Sequence, residues 1–266
     1  MKTQQSHGSL PRVLTSLLLA LLTSCSSPTL TPRPTPALVR VAVTDITQPL
    51  LLDLSAAYAA VNPDVVVAPS LAPEASLKGL LTAGQTDLAL TTAPDPRLFA
   101  TPIGYVPFQA VIHPSNPLPG LSLEQMQGLL TGRILDWSQV GGASGPVLAV
   151  TRGNGSDAGQ ALSATAMGPL TVTASALLAP TWPAMRQLVA QNPNAIGYLI
   201  GPEVDASVKP LPLHGPDGAP VVLRLLAVAE AASDPNGAAR AFLAWAQSPA
   251  GQAAVGERDE GLGGGR

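Results

Sequence analysis

Cysteine, histidine, aromatic rings and charge are all scarce in this chain, and each scarcity removes a class of function. There is one cysteine, Cys25, so no internal disulfide can form. The three histidines are His7, His113 and His214. His113 lies in a proline-bounded turn and His214 in a Leu-His-Gly loop, neither with a second histidine or cysteine at ligand spacing, so no metal cluster and no nucleophile with its base can be read. The chain is therefore not expected to be an enzyme, and no cofactor or metal is expected. Aromatic residues make up 3% of the chain. Trp137, Trp182 and Trp245 stand singly and read as packing residues, not as a stacking platform. Charged residues are 12%, with a net charge of -3. Without the first 24 residues, which hold Lys2 and Arg12 and no acid, that becomes -5, and a mildly acidic surface argues against a nucleic-acid partner.

What is present begins with an export signal over residues 1–24. Lys2 and Arg12 supply a basic start, Val13 to Leu22 is apolar apart from Thr15 and Ser16, and Leu22-Thr23-Ser24-Cys25 closes it. This apolar stretch falls well short of the ~20 residues that span a bilayer, and no later run approaches that length. The Leu-Thr-Ser-Cys ending resembles the lipobox of bacterial lipoproteins, which implies that Cys25 is acylated and anchors the mature chain to the membrane on its extracytoplasmic side. A plain secreted protein with a free thiol is the alternative. Residues 25–37 are Ser/Thr/Pro-rich without an apolar period and read as an extended tether.

From Leu38 to about Gly261 the hydrophobic content (46% over the whole chain) and alternating strand and helix patterns predict an α/β fold. Strands are expected at Val39–Val43, Val65–Val67, Thr86–Leu90, Val106–Ile112, Pro146–Thr151 and Ala195–Ile200. Helices are expected at Gln48–Val61, Ser76–Ala83, from the capping box Ser122-Leu123-Glu124-Gln125 to Gly132, at Asp157–Met167, and from Pro183 to the stop at Asn192-Pro193. A last helix, capped at Asp234-Pro235, carries Ala238, Phe242 and Trp245 on one face. Asp87, between a helix and a strand, reads as a turn or cap residue.

The stretch with most chemical content is Pro146–Met167: a short apolar strand, a glycine-rich polar turn, then an alanine-rich helix. Such a turn points backbone N–H groups and the positive end of a helix dipole at one spot. Arg152 adds a permanent charge and Ser156 a hydroxyl, which together suit an oxyanion. An ordinary strand-to-helix connection with a solvated arginine fits the same residues.

The order of pieces resembles that of the phosphate-binding proteins of ABC importers. The matching segments are Phe108–Gly142, with its Asn-Pro turn, Gly-x-Ile-x-x-Trp and Val-Gly-Gly; Arg152-Gly-Asn-Gly-Ser156-Asp-Ala158; Asn194-Ala-Ile-Gly-Tyr198; and Phe242–Gln252 with Ser-Pro-x-Gly-Gln. The resemblance implies a two-lobed, type II periplasmic-binding-protein-like fold, each lobe a sheet flanked by helices and joined by two crossovers. Lobe 1 would be residues 38–111 and 201–258, lobe 2 residues 112–200, with a disordered tail at 259–266. It further implies an extracytoplasmic, monomeric receptor that captures phosphate or a related oxyanion and delivers it to permease subunits. The alternative is an envelope interaction or sensor protein with the same fold and a degenerate ligand site.

By position in that resemblance, the ligand residues would be Arg152, Ser156, Asp157 and Ala158 from one lobe and Thr44, Asp45, Ser76, Thr91 and Thr92 from the other. Arg152 would pair with the anion, Ser156 and the Ala158 backbone would donate hydrogen bonds, and the threonines and Ser76 would supply hydroxyls. Asp45 and Asp157 depart from the family, which has neutral groups there. A carboxylate ~5 Å from a bound anion at an effective dielectric of ~20 costs roughly 3 kcal/mol per unit charge, or about two powers of ten in affinity. Asp157 could instead cap its own helix, or the two aspartates could recognise a solute with donor groups.

Overall fold

The computed structural model describes residues 35–93, 95–215, 218–230 and 237–256. The export signal, Cys25, most of the tether, the Asp234-Pro235 cap and the expected disordered tail lie outside the described residues. In chain order the strands and helices are β1 (Ala37–Val43), α1 (Gln48–Val61), β2 (Val65–Leu71), α2 (Glu74–Thr82), β3 (Leu88–Thr91), β4 (Leu98–Ile112), α3 (Leu123–Thr131) and β5 (Leu148–Thr151). There follow α4 (Asp157–Leu162), a π-helical turn (Ser163–Met167), β6 (Leu177–Leu178), α5 (Trp182–Gln191), β7 (Ala195–Ile200), β8 (Lys209–Pro212), β9 (Val222–Glu230), α6 (Gly237–Ala246) and α7 (Pro249–Gly256).

Local chemistry accounts for the helix boundaries. Helix α1 opens with a proline in its first turn, buries Leu50, Leu51, Leu54 and Tyr58 at helical spacing, and stops at Asn62 before Pro63. The Tyr58 ring meets Phe242 edge-on at 5.2 Å and Trp245 at 5.1 Å, which seats α1 on α6. Helix α3 has a complete capping box between Ser122 and Gln125 and ends at Gly132, whose φ of 75° is left-handed. Asp87 does more than turn the chain: its carboxylate pairs with Arg40 at 2.6 Å.

The strands run β2-β1-β3-β9-β4-β7-β5-β6, with β8 also on β4. Strands β1, β2 and β3 run parallel to one another, and β9 enters antiparallel between β3 and β4. Strand β4 serves both halves. Leu98 to Pro107 pairs with β9, whereas Phe108 to Ile112 pairs with β7 and Gln109 to Ile112 with β8. Proline has no N–H to give a ladder, so the change of partner next to Pro107 costs little. Helix α1 packs on β2, α2 packs on β1, β3 and β9, and α5 packs on β7, β5 and β4.

Several elements differ from expectation for local reasons. Strand β4 starts at Leu98, before the expected Val106, because an irregularity between Pro102 and Gly104 lets it continue past a proline. The helix expected over Asp157–Met167 becomes six α-helical residues followed by the π turn. Strands β8 and β9 were not expected. Because β8 pairs with the far part of β4, the strand pairing changes at Pro107/Phe108 and again between Pro212 and Val222.

Candidate ligand-binding site

Arg152 leaves the end of β5, and its direction is set by the strand beside it. Its backbone N donates to the Tyr198 hydroxyl of β7 at 2.9 Å, and that hydroxyl also lies 3.2 Å from Thr151 Oγ1. The side chain is only 8% exposed. Its Nη2 pairs with Asp45 Oδ2, from the turn between β1 and α1, and its guanidinium carbon lies 4.7 Å from the centroid of the Trp182 ring. Arg152 Nε and Nη1, Asp45 Oδ1 and Trp182 Nε1 are buried without a hydrogen-bond partner.

The turn after Arg152 is built on Gly153, whose φ of 79° few other residues adopt. Ser156 then caps α4: its hydroxyl accepts from Gly159 N at 3.0 Å and donates to Gly153 O at 2.8 Å. This corrects the expectation that Asp157 is the cap. The extended backbone a cap needs falls on Ser156, at φ -84° and ψ 155°. Asp157 is left free to turn outward, and its Oδ1 accepts from the backbone N of Glu74, at the start of α2, at 3.0 Å. Ala158 is fully buried behind it.

Glu74 extends the acidic group. Thr91 Oγ1 donates to Glu74 Oε1 at 2.5 Å and accepts from Ala93 N at 2.8 Å. Burial pushes the Glu74 carboxyl up to about 7, helped by the Asp157 charge and opposed by the Thr91 hydrogen bond. Burial also raises Asp157, with Asp45 adding to the rise while the Glu74 N–H and Arg152 oppose it. One guanidinium thus stands among three carboxylates, two of which hold protons more tightly than usual.

A cavity of about 380 Å³ opens over this group, lined by Asp45, Arg152, Gly155, Ser156 and Asp157 and faced by Leu71 to Pro73. A smaller one of about 100 Å³ shares Asp157 with it and is lined also by Glu74, Thr92, Gln160, Thr165 and Arg224. The remaining expected residues sit less directly. Thr44 is buried, its N–H bonded to Thr47 Oγ1 at 3.0 Å and its hydroxyl 3.3 Å from the same atom. Ser76 is exposed in the first turn of α2 and lines neither cavity. Thr91 is committed to Glu74, and Thr92 faces the smaller cavity. Among the described residues no group of three or more His, Cys, Asp or Glu side chains is placed to hold a metal ion.

Three participants escaped sequence reading. Tyr198 lay within a recognised Ala-Ile-Gly-Tyr run but was assigned no role. Trp182 read as packing, and it does pack, yet its ring is also the platform under Arg152. Glu74 carried no signal beyond an acid before a helix. Together the residues place a buried cation and carboxylate oxygens around one cavity.

Solved structures share this fold. A Clostridium perfringens protein assigned as a phosphate ABC transporter substrate-binding protein, solved with bound phosphate, superposes with a TM-score of 0.74 at 22% identity, covering 84% of this chain and 98% of that one. An ABC-type phosphate transport receptor from Vibrio cholerae gives 0.70 at 22% identity, covering 84% and 99%. The reduced OxyR regulatory domain from Pseudomonas aeruginosa gives 0.58 at 16% identity, covering 80% and 95%. No curated protein matches the chain in sequence. The architecture is the α/β, two-lobed type II fold of periplasmic binding proteins. Residues 30–209, more than half of the chain, match the profile of the PBP superfamily domain, and the chain belongs to that superfamily.

Proposed function

We propose that the chain is the solute-binding component of an ABC importer, capturing phosphate or a related oxyanion-bearing solute at Arg152 and passing it to permease subunits. The observation that carries this reading is a guanidinium 8% exposed, two of whose nitrogens have no partner, on the wall of a cavity of about 380 Å³. Buried N–H groups without acceptors are costly, and an anionic oxygen is the acceptor that satisfies them best. The likeness to two phosphate receptors supports the same class of solute. Lobe 1 would take residues 38–111 and 201–258, and lobe 2 residues 112–200. The two would hinge shut on the solute. The Leu22-Thr23-Ser24-Cys25 ending supports a lipid anchor on Cys25 and an extracytoplasmic receptor, which would act as a monomer; among the described residues no helix is long and apolar enough to cross a membrane.

Calorimetry and thermal shift with phosphate, sulfate, molybdate and phosphonates at pH 5 and pH 8 test the reading. One of these should bind the natural protein and fail to bind Arg152→Ala with its circular dichroism unchanged; an equal dissociation constant in the variant removes Arg152 from the role. A second reading draws on a specific observation. Asp45 already pairs with Arg152, and Asp157 already takes the Glu74 N–H, so internal carboxylates stand where a solute anion would. An envelope sensor or interaction protein that binds no small solute would be silent across the whole panel.

A further inference from the structure

The unmet atoms at Arg152 differ in kind. Arg152 Nε and Nη1 and Trp182 Nε1 are donors, whereas Asp45 Oδ1 is an acceptor, and all four are buried. The arginine joins them, paired to Asp45 on one side and lying over the Trp182 ring on another. A bare oxyanion would satisfy donors only, and it would bring negative charge against Asp45 and Asp157 on the same cavity wall, with Glu74 bonded directly behind Asp157. The other cations nearby do not redress this: Arg224 is exposed and reaches only the smaller cavity, and Lys78 is held by Asp95 at 3.1 Å. A volume of about 380 Å³ lies within the ~300–1,000 Å³ range of pockets for organic ligands.

We propose, resting on the solute-binding reading above, that the solute is a zwitterion: its oxyanion end lies on Arg152 and a protonated amine a few bonds away lies between Asp45 and Asp157. Such a solute pairs both kinds of unmet atom at once. Its ammonium cancels one unit of the anion's charge, and the carboxylates that would repel a bare anion become its partners. Aminoalkyl phosphonates and phosphorylated amines carry this pair of groups, as do α-amino acids with a carboxylate as the anionic end. Asp157 stays in its bond with the Glu74 N–H through Oδ1, leaving Oδ2 for the amine.

The test compares ligands that differ by one group, titrated into the purified protein by calorimetry at pH 7.5: 2-aminoethylphosphonate, ethylphosphonate, inorganic phosphate and glycine. The amine should tighten phosphonate binding at least tenfold, and Asp157→Asn, which keeps an acceptor and loses the charge, should shrink that gap severalfold. Should Asp157→Asn fail to fold, Asp45→Asn reads the same gap from the other carboxylate. Glycine binding with no phosphonate binding supports the zwitterion with a carboxylate as its anionic end. Ethylphosphonate or phosphate binding as tightly as 2-aminoethylphosphonate overturns the zwitterion and leaves the importer reading standing. Silence from all four, and from the wider oxyanion panel, overturns both.

Discussion

Asp45 and the anionic part of the proposed solute would compete for one guanidinium. The ion pair between Asp45 and Arg152 is mostly buried, with side-chain exposures of 27% and 8%, so it is poorly screened. Asp45→Asn should therefore raise the affinity for plain phosphate by about one to two powers of ten, the scale set by roughly 3 kcal/mol for a like charge ~5 Å away. A dissociation constant that stays put or rises would mean Asp45 does not oppose the anion. Glu74 governs pH dependence at the same place. Its folded value of about 7 lies above the ordinary 4.5, so the folded protein binds this proton more tightly than the unfolded chain. Between those two values the native state holds more protons, and stability must fall as pH rises. Asp157, also raised by burial, acts in the same direction. The melting temperature should decline from pH 4.5 to pH 7 through these groups and level off above, and Glu74→Gln should flatten that decline; an identical slope in the variant would assign it elsewhere. Neither carboxylate's role was legible in sequence. That Arg152 enters a turn suited to an anion could be read from its place after a strand and before a glycine. That Asp157 reaches Glu74, 83 residues away, and that Trp182 lies under the guanidinium are contacts made only once the chain is folded.

At the scale of elements, the turn that carries Arg152 is held by a close backbone approach. A Cβ on Gly159, in the first turns of α4, would come 1.9 Å from the Gly153 carbonyl oxygen, so any side chain there must push the turn away. Gly159→Ala should cost about 1–3 kcal/mol in urea unfolding and weaken ligand binding beyond what the stability loss explains, because Ser156 and Arg152 move with the turn. A silent substitution would show that the turn is more pliant than its hydrogen bonds suggest. Gly159 also explains why this region was only partly legible. The sequence shows helix formers after Asp157, but the π turn at Ser163–Met167 has no local signature. Strand β7 could be read to the residue, since Asn192-Pro193 stops the preceding helix and Ala195–Ile200 is short and apolar throughout. Strand β9 could not: nine mostly apolar residues give no period that separates a buried strand from a buried helix. Strand β8, Lys-Pro-Leu-Pro, reads as a breaker, and its edge place on β4 is what tolerates the prolines.

Across the whole molecule, β4 is the strand both halves of the fold share, and side-chain chemistry adds a second tie. Helix α2 packs on β1, β3 and β9, whereas α4 follows β5 in the other half. The bond from Glu74 N to Asp157 Oδ1 therefore links two helices that belong to different halves, beside the cavity that Arg152 lines. On the proposed hinging, opening would break this bond and closing would remake it. The Glu74 amide should then report the hinge directly in hydrogen exchange. Asp157→Ala deletes the acceptor and should speed exchange at Glu74 and the next amides of α2 several-fold, while amides of β7, deep in the second half, keep their protection. Asp157→Asn retains an acceptor oxygen and should stay close to the natural rate. If Asp157→Ala left Glu74 as protected as before, the halves would be held together by β4 and backbone contacts alone, and the acidic cluster would act on the solute without acting on closure.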